Sequence, residues 1–131
     1  MATRYLSEGL MLEIHRNLIQ IFGGSHGLRD RGLLLSALAQ PKMTVGGKFI
    51  HRTVFDKAAA YGYHLCANHP FVDGNKRVAF MAMYQFLEKN GYEFDASEHD
   101  MFETMMAVAT GKLKKPAISE WLRTHSKRLP R

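Results

Sequence analysis

Cys66 is the single cysteine among 131 residues. With no second thiol there is no disulfide scaffold, and a cysteine-built zinc cluster is excluded as well. A lone thiol suits a reducing compartment. No apolar run approaches the roughly 18–20 residues that would span a bilayer. The first residues lack the charged, then apolar, then small-residue order of a signal peptide. The expected location is the cytoplasm, with no membrane partner. Internal repeats, low-complexity tracts and domain-splitting linkers are also missing. Residues 1–131 are therefore expected to form one domain, burying about two-thirds of the surface that the unfolded chain exposes.

Negative charge is scarce too. Twelve Asp and Glu face 18 Lys and Arg, for a net charge of +6 and a pI near 9.6. That balance favours an anionic partner: nucleic acid, nucleotide phosphate or an acidic protein. Lys112, Lys114, Lys115, Arg123, Lys127, Arg128 and Arg131 crowd the end of the chain. Such a cluster is more often a solvated face and tail than a binding site. A non-catalytic module that binds nucleic acid or protein is the rival of a different class. The chain shows neither helix-turn-helix grammar nor an aromatic stacking motif, so direct nucleic-acid binding is not expected.

What is present is helical patterning. Leu6, Leu10, Ile14, Leu18, Ile21 and Phe22 recur at three- and four-residue steps, which predicts one apolar face on a helix from Ser7 to Phe22. Gly23-Gly24 stops it. A second helix starts near Asp30, runs through Leu33, Leu34, Ala37 and Leu38, and closes at Pro41. In Val45-Gly46-Gly47-Lys48-Phe49-Ile50 two glycines stand between β-prone residues, which reads as a short hairpin or flap. Helix resumes at Thr53, a good N-cap, with Val54, Phe55, Ala58, Ala59, Gly62 and Cys66 available for packing. Pro70 ends it at His69. The helix carrying Val78, Ala79, Met81, Ala82, Tyr84, Phe86 and Leu87 is apolar on most sides and should be the central one. Asn90-Gly91 stops it. Ser97 caps a helix with Phe102, Met105, Met106 and Val108, ended by Gly111. A last helix follows Pro116 through Ile118, Trp121 and Leu122. The fold class is all-α, a compact bundle of about six helices with a flap between the second and third and no strand ladder.

The segment His69-Pro-Phe-Val-Asp-Gly-Asn-Lys-Arg77 is unusual between two apolar helices. Gly74-Asn75-Lys76 stands where the central helix begins. There the first-turn N–H groups have no intrahelical partner and the helix dipole is positive, which makes an anion site. Gly74 lets the backbone approach a ligand closely. Arg77 can grip phosphate oxygens with its planar fork, and Lys76 adds a point charge. Asp73 is a hard oxygen ligand suited to Mg²⁺ held mostly by substrate phosphates. His69 can take a proton from an attacking hydroxyl. Phe71 should turn into the core and pin the loop. Taken singly, a histidine at a helix end is more often structural, and Asp-Gly-Asn is usually a turn. Their conjunction at the start of a buried helix is what argues for chemistry. A metal site from His64, His69 and Asp73 lacks the usual ligand spacing.

These residues resemble the signature of the Fic/Doc family, broadly His-x-Phe-x-(Asp/Glu)-(Gly/Ala)-Asn-(Gly/Lys)-Arg. Every fixed position is present: His69, Phe71, Asp73, Gly74, Asn75, Lys76 and Arg77. The resemblance covers about residues 5 to 123, and Gly27–Leu34 is similar to a pre-flap segment of Doc-like members. Typical Fic enzymes have glycine where this chain has Lys76 and a second arginine where it has Phe80, and they transfer AMP. Doc-like (death-on-curing) toxins carry the lysine, and for them the resemblance implies an inverted nucleotide that gives its γ-phosphate. It implies ATP as substrate and His69 as general base. Asp73 would bind Mg²⁺ or orient His69 or the acceptor. Gly74, Asn75, Lys76 and Arg77 would hold phosphates, and the Gly46-Gly47 flap would align the target. The implied target is elongation factor Tu, and the consequence is arrested translation. AMP transfer is the runner-up. The family's inhibitory motif, (Ser/Thr)-x-x-x-Glu-(Gly/Asn), is missing: the one candidate glutamate, Glu8, is preceded by Arg4 at the required spacing. Restraint is therefore expected from another chain, an antitoxin. Val78 and Phe80 depart from the threonine and leucine usual in the Doc branch.

Overall fold

The computed structural model describes residues 2–130, and Arg131 of the basic cluster lies outside them. Among the described residues six α-helices follow one another: α1 (Glu8–Phe22), α2 (Arg31–Ala39), α3 (Val54–Asn68), α4 (Asn75–Lys89), α5 (Glu98–Ala109) and α6 (Lys115–Thr124). The N-caps expected at Thr53 and Ser97 are in place, and Ser7 and Asp30 cap α1 and α2 as well. Ser7 accepts from Leu10 N–H, Asp30 from Leu33 N–H and Ser97 from Asp100 N–H. Thr53 and Asp56 cap each other's backbone at the start of α3. A hairpin of β1 (Thr44–Val45) and β2 (Lys48–Phe49) lies between α2 and α3, and turns through Gly46 and Gly47 at φ 58° and 78°. Two consecutive positive φ values make the turn that suits strand twist, and glycine adopts them without steric penalty.

The mostly helical architecture agrees with the sequence reading, with one addition. Residues expected to form a solvated tail instead form a strand, β4 (Ser126–Arg128), antiparallel to β3 (Tyr92–Phe94). Glu93 pairs with Lys127, and the Arg128 guanidinium lies 5.6 Å from the centre of the Tyr92 ring. Lys112, Lys114, Arg123, Lys127 and Arg128 are exposed, and Arg123 is paired with Glu120 at 2.6 Å.

The helix α1 also faces differently from its apolar pattern. Met11, Ile14, His15 and Ile19 are its buried residues, whereas Ile21 and Phe22 are 71% and 58% exposed. The core ends before the helix does, so its last turn projects past the packed interior. In α5, Phe102 is likewise exposed and Met105 and Val108 are buried. Among the described residues no helix is long and apolar enough to cross a membrane.

The core is built around α3 and α4, which run antiparallel with the 69–74 loop at their tip. Tyr61, Leu65, Met83, Phe86 and Leu87 are almost wholly buried along them. They approach closely because α3 has Gly62: a Cβ there would run into Met83 Sδ and stand 2.8 Å from Met83 Cγ. Alanine gains about 1 kcal/mol of helix propensity over glycine, whereas overpacking costs about 1–3 kcal/mol. Gly62→Ala is thus expected to be mildly destabilising, and Gly62→Val, which is bulkier and has less of that propensity gain, should lower unfolding free energy by about 1–3 kcal/mol in a urea titration.

The N-terminus of α6 docks through Lys115. Its Nζ lies 3.0 Å from His64 Nε2 and 3.3 Å from His51 Nε2. Both rings are held neutral, first by burial and then by Lys115, and His64 is pushed down to about 4. The unfolded chain, with His64 near its ordinary 6.5, binds more protons between the two values. This contribution is complete above pH 6.5 and is lost as pH falls toward 4. Unfolding midpoints measured across that window should fall with acidification, and His64→Gln should flatten the slope.

Candidate active site

The loop between α3 and α4 starts at His69, whose backbone is left-handed at φ 51°, ψ 54°. Pro70 ends the helix as expected, but His69 takes the left-handed cap conformation rather than an extended one. It is the only non-glycine with positive φ among the described residues. A side chain in that region costs about 1–2 kcal/mol, which surrounding contacts must offset.

Those contacts are specific. Phe71 is 1% exposed, and its ring stacks on His15 with centroids 4.0 Å apart and planes 10° from parallel. His15 Nε2 donates to the Asp73 carbonyl at 2.8 Å, since a carbonyl oxygen can only accept. Asn75 is 5% exposed. Its Oδ1 accepts Phe71 N–H at 3.0 Å and its Nδ2 donates to Phe71 O at 2.9 Å. The expectation that the Asn75 side chain reaches phosphate is thereby revised: the amide is spent on the loop, and Asn75 keeps its backbone N–H for a ligand. A strap of residues 27–30 runs alongside. Leu28 bridges to Phe71, and Val72 N–H donates to Gly27 O at 3.0 Å.

Asp73 is exposed, with Oδ2 accepting Ser25 N–H at 3.1 Å and Oδ1 accepting Gly74 N–H at 2.9 Å. These two backbone donors, Ser25 first, lower its pKa below the usual carboxylate value. Each oxygen keeps a lone pair, so the carboxylate is an ionised ligand able to meet one divalent cation. Gly74 is the N-cap of α4 at φ 79°, with Ile19 Cδ1 3.2 Å from where a Cβ would stand. The first intrahelical bond runs from Val78 N–H to Gly74 O at 3.0 Å. The N–H groups of Asn75, Lys76 and Arg77 precede it and form the positive end of the helix.

His69, Asp73, Gly74, Asn75, Lys76 and Arg77 all line one cleft of about 830 Å³. Its walls are the end of α1 (Leu18, Ile19, Phe22), the start of α4 and the inner side of α5 (Met101, Phe102, Met105). This explains the exposed Phe22: the Arg77 guanidinium lies over its ring, 4.2 Å from the centroid. Buried Cys66 also lines the cleft, its thiol pushed up by burial and partly offset by Lys76. Gly46 and Gly47 are not among the lining residues, and neither is His64, which meets Lys115. Among the described residues no three His, Cys, Asp or Glu groups converge as a metal cage. Sequence patterning alone did not find His15, Phe22, Ser25 or Arg29. Each acts through a non-local contact, and only the Gly27–Leu34 resemblance touched one of them.

A cleft that joins a histidine, an ionised carboxylate, a helix N-terminus and two cations can bind a polyphosphate and deprotonate a hydroxyl beside it. Residues 5–87, more than half of the chain, match the model of the Fic/Doc family. The chain belongs to that family, whose members are transferase-type enzymes using nucleotide substrates. It is 45% identical over 91 residues to Toxin Doc of Mycolicibacterium smegmatis, covering 68% of this chain and 70% of that protein.

Loss of the Asn75 amide leaves two buried backbone groups of Phe71 without partners, at about 1–3 kcal/mol for each unsatisfied group. Asn75→Ala should lower the urea midpoint and abolish slow hydrogen exchange at the Phe71 amide. Retained protection there would show that the amide pair does not hold the loop.

Proposed function

We propose that this chain is the toxin of a toxin–antitoxin pair and transfers the γ-phosphate of ATP to a hydroxyl of a protein target. Residues 1–131 act as one Fic/Doc domain in the cytoplasm. The observation that carries the reading is the shared cleft: His69 stands at its rim with the start of α4, Asp73, Lys76 and Arg77 around it. The target is elongation factor Tu, as the family resemblance implies, and its modification arrests translation.

In the proposed reaction the ATP phosphates rest on the first-turn N–H groups of α4, with Lys76 and Arg77 neutralising their charge. Phe22 holds the Arg77 guanidinium on the cleft wall. His69 takes the proton of the target hydroxyl as its oxygen bonds to the γ-phosphorus. The bond from that phosphorus to the β,γ-bridging oxygen breaks, and ADP leaves. Asp73 is the residue that would hold Mg²⁺, which supplies further charge neutralisation when bound. Positioning and charge stabilisation of this kind are most of what phosphoryl transfer needs. The apolar residues Met101, Phe102 and Met105 suit the flat face of a base. The β1–β2 hairpin offers exposed backbone and the Gly46-Gly47 turn for aligning the target.

Two observations favour γ-phosphate over AMP transfer. Lys76 lines the cleft at the start of α4, and its side chain takes up room there that a glycine would leave to a phosphate. Phe80 is 8% exposed and packs edge-on against Phe94 with centroids 5.8 Å apart, so no second arginine is available from that position. Restraint in trans by an antitoxin is supported by Glu8. It is bonded to Arg31 at 2.7 Å and does not line the cleft, so it cannot serve as an internal inhibitory glutamate.

The test is label transfer in bacterial lysate with Mg²⁺ and ATP labelled at the α- or γ-phosphate. Label should pass only from the γ position to a band of elongation-factor size, and His69→Ala should slow it by about 10²–10⁴-fold. Label from the α position would establish AMP transfer instead. The absence of any His69-dependent transfer, with salt-sensitive DNA or RNA binding that survives His69→Ala, would make the chain a binding module.

A further inference from the structure

We infer that Arg29 is the positioning residue for His69, a role that rests on the reading of His69 as general base. Three consecutive carbonyls around His69 are held by Arg29 and its neighbour. Arg29 Nη2 donates to Asn68 O at 3.0 Å and Arg29 Nε to His69 O at 2.7 Å. Pro70 O accepts both Arg29 N–H at 2.8 Å and Asp30 N–H at 3.0 Å.

The geometry has a specific consequence. The Asn68 carbonyl belongs to the peptide plane before the His69 Cα, and the His69 carbonyl to the plane after it. One guanidinium therefore grips both planes. Fixing both planes fixes φ and ψ of His69, and hence the direction of its Cα–Cβ bond. That is how a left-handed histidine is maintained before a proline that favours extended backbone. The fork matters because two parallel N–H groups must reach two carbonyls at once, which an ammonium on a flexible stem does poorly. The cation also lies at the C-terminal end of α3, where the dipole favours positive charge. The backbone bonds to Pro70 O place the Arg29 Cα beside its targets, so the side chain forms these contacts with little searching.

The experiment compares wild type with Arg29→Met and Arg29→Lys. It reads the turnover and KM of γ-label transfer, the melting midpoint, and the ¹³Cα and ¹³Cβ shifts of His69. Arg29→Met is expected to reduce kcat by about 10–100-fold while KM for ATP moves little, because the base is misplaced and the phosphate site is not. The shifts that mark left-handed backbone should disappear in Arg29→Met, with a small change in melting. Arg29→Lys, which keeps the charge without the fork, should recover only part of both. Unchanged His69 shifts in Arg29→Met would overturn the inference, as would equal losses of kcat and KM performance. If even wild type transfers no label, the transfer reading fails, and the His69 shifts still decide what Arg29 holds.

Discussion

The Asn75 side chain closes a ring of two hydrogen bonds with the backbone of Phe71, and the site depends on that closure. It joins the first residue of α4 to the middle of the preceding loop, so the start of that helix and the path from His69 are set together. Each bond contributes only about 0.5–1.5 kcal/mol net. The effect is larger than that sum suggests because the groups are buried and no water can replace the amide. His15 completes the arrangement from below, stacking on Phe71 and holding the Asp73 carbonyl. A loop rich in polar residues thus keeps a single shape by spending its buried polar groups on itself. Its charged side chains remain turned to the cleft.

That division of labour shapes the electrostatics. Lys76 and Arg77 stay exposed and require no buried counter-charge, while the N-terminus of α4 adds a fixed positive end between them. Asp73 keeps its charge chiefly through backbone N–H donors, with Lys76 adding a smaller attraction. The opposite wall comes from α5, which lies beyond the residues matched by the family model. The histidine- and cation-bearing end of the cleft is accordingly built by the shared motif, and the facing apolar wall by a part of the chain with no such signature.

Much of this was legible in the order of residues. Caps, glycines and Pro70 marked the helices, because those signals act over one turn and depend on nearby backbone alone. The motif pointed to the loop for the same reason: its residues are contiguous. What escaped was non-local. His15 is polar and breaks an apolar stripe, yet it is buried because Phe71 covers it. Phe22 continues that stripe past the end of the core and serves Arg77. Ser126–Arg128 has no strand propensity of note and pairs only because Tyr92–Phe94 runs beside it. The Asn75 amide looked free for a ligand, since nothing in the sequence shows that Phe71 presents both a donor and an acceptor to it.

The contact of Gly62 with Met83 bears on what can be moved elsewhere. The 69–77 segment is short and contiguous, and invites grafting between two helices of another scaffold. Its ends, however, are held at the spacing that a side-chain-free position in α3 allows against a methionine in α4. Most helix pairs stand about 8–10 Å apart, according to the side chains at their contact. A recipient hairpin would therefore have to reproduce this narrow seam, together with His15 and the 27–30 strap, before the transplanted motif could take up the same shape. The transferable unit is a four-part assembly of helix, strap, loop and seam, and a nine-residue cassette on its own would carry the chemistry without its geometry.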